Sequence, residues 1–296
     1  MKSIIKKILF LLIFLSGLPI YVRKIIQKKR ATFIVYHDTD PAIFEKHIRY
    51  LLKRYNLISL KHYIEYRLRK GGSKLPPYSA VIVFDDGHKN NYSLLPIFKK
   101  YNIPVTIFLA SGIIGTSRHF WMKTVDNRLK LAFKCLPDSE RLKHMKELYD
   151  FDDYREYDAR QALSLSEINE MSPYVDFQSH TVTHPCLSMC SAKKSLDEIC
   201  ESKIQLQRDL LSDVYAIAYP NGDYTEREVI NAKISGYRCA LTMDWGFNSD
   251  RTDIYKLKRN SATDNSGLVE FVVKITGIWW MFRSFFRIYF DRLEQK

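Results

Sequence analysis

The chain has 296 residues, 46% of them hydrophobic and 14% aromatic, which suits one α/β domain of about 230–250 residues with appendages. It contains no long polar tract, no Gly/Pro-rich linker and no repeat at solenoid periods, so its composition excludes a disordered or repeat protein. The 46 Lys and Arg against 33 Asp and Glu give a net charge of +13 with no zinc-finger or nucleic-acid motif; much of this charge flanks apolar segments at the two ends, which points to a lipid surface or an anionic substrate and away from nucleic acid.

Residues 8–22 form a mostly apolar run of 15 residues, short of the roughly 20 that a straight span needs. No A-x-A-like cleavage site follows it. Arg23, Lys24, Lys28, Lys29 and Arg30 come next and outweigh Lys2, Lys6 and Lys7 on the other side. A basic flank of this kind resists translocation and favours anionic headgroups, and the positive-inside rule leans the folded domain towards the cytoplasmic face. Segment 1–30 therefore reads as a monotopic membrane anchor or an uncleaved signal-like segment, with an outward-facing signal anchor as the competing reading.

From residue 32 to about 260, β-rich runs alternate with amphipathic stretches. Strands are predicted at 32–36, 80–84, 105–110, 175–179, 215–219, 239–243 and 255–259, and helices at 43–55, 61–70, 92–101, 193–211 and 225–235. This alternation implies a largely parallel sheet, and about seven repeats suggest a barrel. Residues 115–172 hold few strand signals and read as a helical insertion at the rim of the domain, which spans 31–263. In segment 264–296, Trp279, Trp280, Phe282, Phe285, Phe286, Tyr289 and Phe290 are interleaved with Arg283, Arg287 and Arg292. That mixture suits an amphipathic helix in the headgroup layer, or else a terminal helix packed on the domain. Five cysteines, an odd number with no C-x-x-C pair, argue against a disulfide framework.

Four predicted strands run into polar residues: 32–36 into His37-Asp38, 80–84 into Asp85-Asp86-Gly87-His88, 175–179 into His180 with His184 four further on, and 215–219 into Pro220-Asn221-Gly222-Asp223. In a parallel α/β barrel these ends meet on one face. Adjacent carboxylates after a buried strand are costly unless compensated. A divalent cation is a natural partner, with one carboxylate as ligand and the other as base, although D-D-G also occurs in ordinary turns. His180 and His184 flank β-branched residues and precede Pro185, so they sit on a loop, not a helix. With Asp86 they form an Asp-His-His set that leaves a coordination position open.

The stretches VYHD, VIVFDDG, SHTVTHP, AYPNG and YKLKRN, in this order over about residues 32–262, resemble the polysaccharide deacetylases, the NodB-type carbohydrate esterases, and most of all their poly-N-acetylglucosamine deacetylase-like branch. The resemblance implies a distorted (β/α)7 barrel. It implies Asp86, His180 and His184 as ligands of one divalent ion, zinc in first place with cobalt, nickel or iron as alternatives. It implies Asp85 as general base, the backbone N–H of Asn221 as oxyanion donor, and His37 as general acid, since no histidine follows residue 184. Many relatives carry an Arg where this chain has Ala218; Arg259 is the candidate to orient the base in its stead. Asp244 and Trp245 resemble a pocket-lining motif, with a core position as the equal alternative for Trp245, and His88 is a weaker candidate for substrate contact. His47, His62, His119 and His144 read as surface or partly buried side chains.

The function implied is metal-dependent removal of an N-acetyl or other N-acyl group from an amino sugar, in a polysaccharide or a lipid-linked glycan precursor, at a membrane surface. The alternatives are a catalytically silent glycan-binding protein on the same fold, and an O-acetyl esterase or deformylase.

Overall fold

The computed structural model describes residues 2–68, 75–262 and 264–285. Eight strands form one sheet: β1 (Thr32–Tyr36), β2 (Asn56–Leu57), β3 (Ser79–Phe84), β4 (Val105–Leu109), β5 (Val175–Ser179), β6 (Ala216–Ala218), β7 (Cys239–Leu241) and β8 (Asn260–Ser261). The order is β7-β6-β5-β4-β3-β1-β8, with β2 paired to β3 off this path. Every ladder between these strands is parallel. The path curls on itself. Asn260 and Ser261 pair with Ile34 and Val35, while Leu257, three residues earlier, bridges to Leu241 of β7. The final segment thus touches both ends of the path, giving seven staves with helices outside, the expected architecture.

The central strands read TFIVY, SAVIVF and VTIFL, and each is buried along its whole length. β-Branched and aromatic residues fit a pleated surface covered on both faces. The helices between strands start where the chemistry dictates. Asp40 accepts hydrogen bonds from the N–H groups of Ala42 and Ile43, with Pro41 at the first helical position of Pro41–Leu52. Ser164 with Glu167 and Thr225 with Glu228 form capping boxes at the starts of helices Leu165–Met171 and Glu226–Ile234.

The last strand differs from expectation. The predicted run 255–259 is mostly irregular, and the ladder falls on Asn260–Ser261, because Ile254 and Leu257 make backbone bonds with Ala240 and Thr242 while the N–H groups of Tyr255 and Lys256 turn back to Asp253. β2 is only two residues long and begins with a polar Asn, so no period marks it.

The insertion is helical as expected: Trp121–Thr124, Lys130–Lys134 and Asp138–Tyr149. Its small core of Trp121, Val125, Phe133, Met145 and Phe151 closes over Cys186, two residues beyond His184. Segment 1–30 packs on the domain. Helix Lys2–Leu15 breaks at Gly17 (φ 73°), and helix Leu18–Ile25 follows at a bend of 56°. Phe10, Ile13 and Val22 pack with Val273 and Ile278, so both arms lie on the helices Leu268–Ile275 and Ile278–Phe285. The first half of the C-terminal segment is therefore core: Phe271, Val272, Val273 and Ile275 are buried. The expectations for Phe286, Arg287, Tyr289, Phe290 and Arg292 lie outside the described residues. All five cysteines are free thiols.

Candidate active site

Parallel strands deliver the polar residues that follow them to one face. Asp85 begins where β3 ends, its N–H bonded to the Tyr36 carbonyl; His180 begins where β5 ends, its N–H bonded to the Leu109 carbonyl. The chain then turns sharply. Asp86 (φ 72°), Thr181 (φ 68°), His184 (φ 59°) and Asn221 (φ 59°) all adopt left-handed backbone conformations. Each costs on the order of 1–3 kcal/mol outside glycine, and such strain persists only where the surroundings over-determine it. Gly87 (φ 69°) continues the first turn, where a Cβ would come within 2.5 Å of the Leu109 side chain.

The surroundings of the histidine loop are unusually complete. The N–H groups of Ser111 and Gly112 bond to the carbonyls of Thr181 and Val182. From the other side, the buried Glu198 carboxylate accepts from the N–H of Val182 (2.8 Å), the N–H of Thr183 (2.9 Å) and the Thr183 hydroxyl (2.7 Å). The indole N–H of Trp121, in the insertion, donates to the His184 carbonyl at 2.9 Å. Sequence reasoning missed both residues. Glu198 reads as one more charge on helix Ala192–Leu210, and Trp121 stands 63 positions from the loop it holds.

Asp86, His180 and His184 converge. One ligand atom from each lies within 4.8 Å of the other two, and all three residues are buried. His180 Nε2 is 3.3 Å and His184 Nε2 3.2 Å from Asp86 Oδ1, which has no hydrogen-bond partner among the described residues. Nδ1 of His180 faces the Ala218 carbonyl at 2.7 Å and must donate to it, which directs the ring's lone pair through Nε2 at the carboxylate. A buried carboxylate oxygen facing imidazole nitrogens with no donor assigned between them is a cradle for a cation, and this donor set fits a divalent metal. His88 is buried, and its Nε2 lies 2.9 Å from Asp86 Oδ2.

Asp85 is 3% exposed and lies beside this group. Arg259 Nη1 donates to its Oδ1 at 2.7 Å, and Arg259 is itself fixed by its Nε–H on the Thr242 carbonyl. His37 Nε2 stands 4.0 Å from Asp85 Oδ2 with its ring 35% exposed, so this histidine borders both the carboxylate and solvent. Its backbone is held by Asp264, whose carboxylate accepts from the His37 N–H, and by Asn91, which donates to the His37 carbonyl. The Pro220–Gly222 turn abuts the histidine loop, with Asn221 Nδ2 3.7 Å from Cys186 Sγ.

Opposing effects set the charges. Burial raises the Asp85 carboxyl, but Arg259, His180 and His37 outweigh it and leave it below its usual range. Burial likewise raises Asp86, yet His184 and His88 hold it well below the usual range. Burial lowers both imidazoles. Asp85 and Asp86 reverse this at His180, which ends raised, while His184 ends lowered. The centre is therefore an anionic pocket in which a proton on His180 and a cation held by the same residues would compete for one field.

Of the remaining candidates, Trp245 is 40% exposed, which rules out the core position. Asp244 accepts from the Tyr224 hydroxyl at 2.7 Å. His47 is fully buried, not at the surface, because its ring stacks on Phe271 at 3.9 Å. His62 and His144 are exposed, and His119 stacks on Tyr157 in the insertion.

The strand ends of a curled parallel α/β barrel thus bring two carboxylates and two imidazoles together. Residues 72–240, more than half of the chain, match the polysaccharide deacetylase family, and the chain belongs to that family. It is 25% identical over 220 residues to the Bacillus subtilis protein YxkH, covering 73% of this chain and 62% of that one. It is 26% identical over 211 residues to a poly-beta-1,6-N-acetyl-D-glucosamine N-deacetylase of Staphylococcus epidermidis, covering 68% of this chain and 60% of that one. The chain thus spans about three-fifths of the length of these relatives. Among solved structures, the Streptococcus pyogenes deacetylase PplD in complex with acetate shares the fold, with a TM-score of 0.62 at 20% identity over 83% of this chain and 98% of that one.

Proposed function

We propose that the chain hydrolyses the N-acetyl or other N-acyl amide of an amino sugar, in a polysaccharide or a lipid-linked glycan precursor. The observation that carries this reading is the unpartnered Asp86 Oδ1 between His180 and His184, with the Arg259-bound Asp85 alongside. Its support includes family membership and the N-acetylglucosamine substrate in the name of the staphylococcal relative.

Asp86, His180 and His184 would hold one divalent cation, zinc by the carboxylate–imidazole donor set, with cobalt, nickel or iron competing on the same donors. The cation would supply Lewis-acid polarisation of the amide carbonyl and acidify water. Asp85, kept ionised by Arg259, takes a proton from the attacking water as the new C–O bond forms. The backbone N–H of Asn221 donates to the developing oxyanion. His37, half-open to solvent beside Asp85, gives a proton to the nitrogen as the C–N bond breaks, leaving a free amine and a carboxylate.

The test is acetate release from N-acetylglucosamine oligomers and from a lipid-linked N-acetylamino sugar. Asp85→Asn is expected to keep its metal and lose about 10²–10⁴-fold in rate. His37→Ala is expected to lose rate most on substrates with poor leaving amines. Full turnover by Asp85→Asn would refute the assignment of the base, and release from O-acetylated sugars alone would replace the amidase with an esterase.

A further inference from the structure

The bent helix pair at the N-terminus buries one side and leaves the other bare. In Lys2–Leu15 the large apolar residues Ile4 (63%), Ile5, Ile8, Leu11, Leu12 and Leu15 (69%) are exposed. At 3.6 residues per turn they fall within about a third of the helix circumference, opposite the buried Phe10 and Ile13. The second arm, Leu18–Ile25, continues the surface with Ile20, Tyr21 and Ile25, each 55–62% exposed. A contiguous apolar face of this size is rare on a protein surrounded by water alone.

Charge identifies what covers it. Residues 1–37 contain eight Lys or Arg and no Asp or Glu, so this short stretch holds most of the net charge of +13. Lys6, Lys7, Lys24, Lys28, Lys29 and Arg30 of the same segment are exposed. Lys6 lies over the rings of Phe10 and Trp279, on the side of the helix that packs on the domain. An apolar stripe on a segment that carries cations and no acidic residue complements an acyl layer under anionic headgroups.

Geometry sets how it lies. Fourteen residues of helix span about 21 Å against a hydrocarbon core of about 30 Å, and the chain bends 56° at the break. Both arms are held side-on by the helices Leu268–Ile275 and Ile278–Phe285. Gln27 pins the end of the pair: its amide donates to the Thr32 hydroxyl and the Ile275 carbonyl, and its carbonyl accepts from the Tyr55 hydroxyl. We propose that this bent pair is a monotopic platform that lies in the surface of an anionic lipid bilayer, with the arms in the interface plane and the barrel attached through Gln27.

The experiment uses the full chain, transferred from mild detergent to vesicles of phosphatidylglycerol and phosphatidylcholine in equal parts, or of phosphatidylcholine alone, followed by sedimentation. The wild type is expected to bind the anionic vesicles, to bind the neutral ones far less, and to be released by alkaline carbonate. Ile8→Glu with Leu12→Glu should weaken binding by at least about tenfold. Lys28→Gln, Lys29→Gln and Arg30→Gln together should weaken it by about fivefold per charge removed. Thermal unfolding in detergent shows whether each variant keeps its fold, since the altered side chains face outward. Equal binding to neutral vesicles, or binding untouched by the two glutamates, would overturn the proposal. So would resistance to carbonate, which would mean a span, or self-association through this face with no vesicle binding.

Discussion

Asp85 has a guanidinium on one oxygen and two imidazoles within 4.0 Å of the other. Burial raises its carboxyl and Arg259 is the largest opposing influence, so the proposed role as a base depends on Arg259. Arg259→Met keeps the packing volume and removes that charge. The Asp85 carboxyl then rises, and the acid limb of the kcat/KM profile is expected to move to higher pH. Urea unfolding should show a loss of about 3–5 kcal/mol, typical of breaking a buried ion pair. An unmoved acid limb would mean that Arg259 does not act on the base. The ligand-type residues were legible in the sequence because their types are rare at strand ends and FDDG and SHTVTH lie in order along the chain. Arg259 was legible only as a candidate, since nothing in LKRN states which carboxylate it meets. The supports that act through backbone atoms were not legible. Ala218 offers His180 a carbonyl that any residue would carry, and Glu198 binds N–H groups whose identity is equally silent.

Between elements, His47 links three parts of the fold. From helix Pro41–Leu52 its Nε2–H donates to the Ser266 carbonyl at 2.9 Å, its Nδ1 accepts from the Tyr36 hydroxyl of β1 at 3.3 Å, and its ring stacks on Phe271 of helix Leu268–Ile275. Burial pushes this imidazole down to about 4, with the Ser266 bond opposing. The folded value lies below the unfolded one of about 6.5, so the contribution is complete above pH 6.5 and is lost as pH falls towards 4. Linkage puts the loss at about 2 kcal/mol between pH 7 and pH 5. His47→Gln, which does not titrate, is expected to lose correspondingly less over that interval in urea unfolding, and an identical loss in both proteins would contradict this. The sequence could not show the burial: His47 follows Glu45 and Lys46 in a polar-looking run, and its partners lie at residues 266 and 271. Strand positions fared better, because a fully buried parallel strand is a continuous apolar run whatever it pairs with.

At the scale of the whole molecule, seven staves were readable from the alternation of strand and helix, while the closure was not. It depends on Leu257 and Asn260 reaching β7 and β1 from an irregular segment. The sequence did not show that the two ends meet: Phe10, Ile13 and Val22 join Val273 and Ile278 in one cluster. Apolar runs tell a reader that a surface must be covered, not which of its faces the protein covers itself. On the reading proposed above, the barrel and its helical rim hold Asp86, His180 and His184 in place for one divalent ion. That claim is tested most directly by calorimetric titration of zinc into metal-stripped protein, with His180→Ala and His184→Ala in parallel. The account expects one equivalent bound tightly by the wild type, with proton release because the metal displaces the proton that Asp85 and Asp86 favour on His180, and no tight site in either variant. Tight binding that survives both substitutions, or none in the wild type, would contradict it.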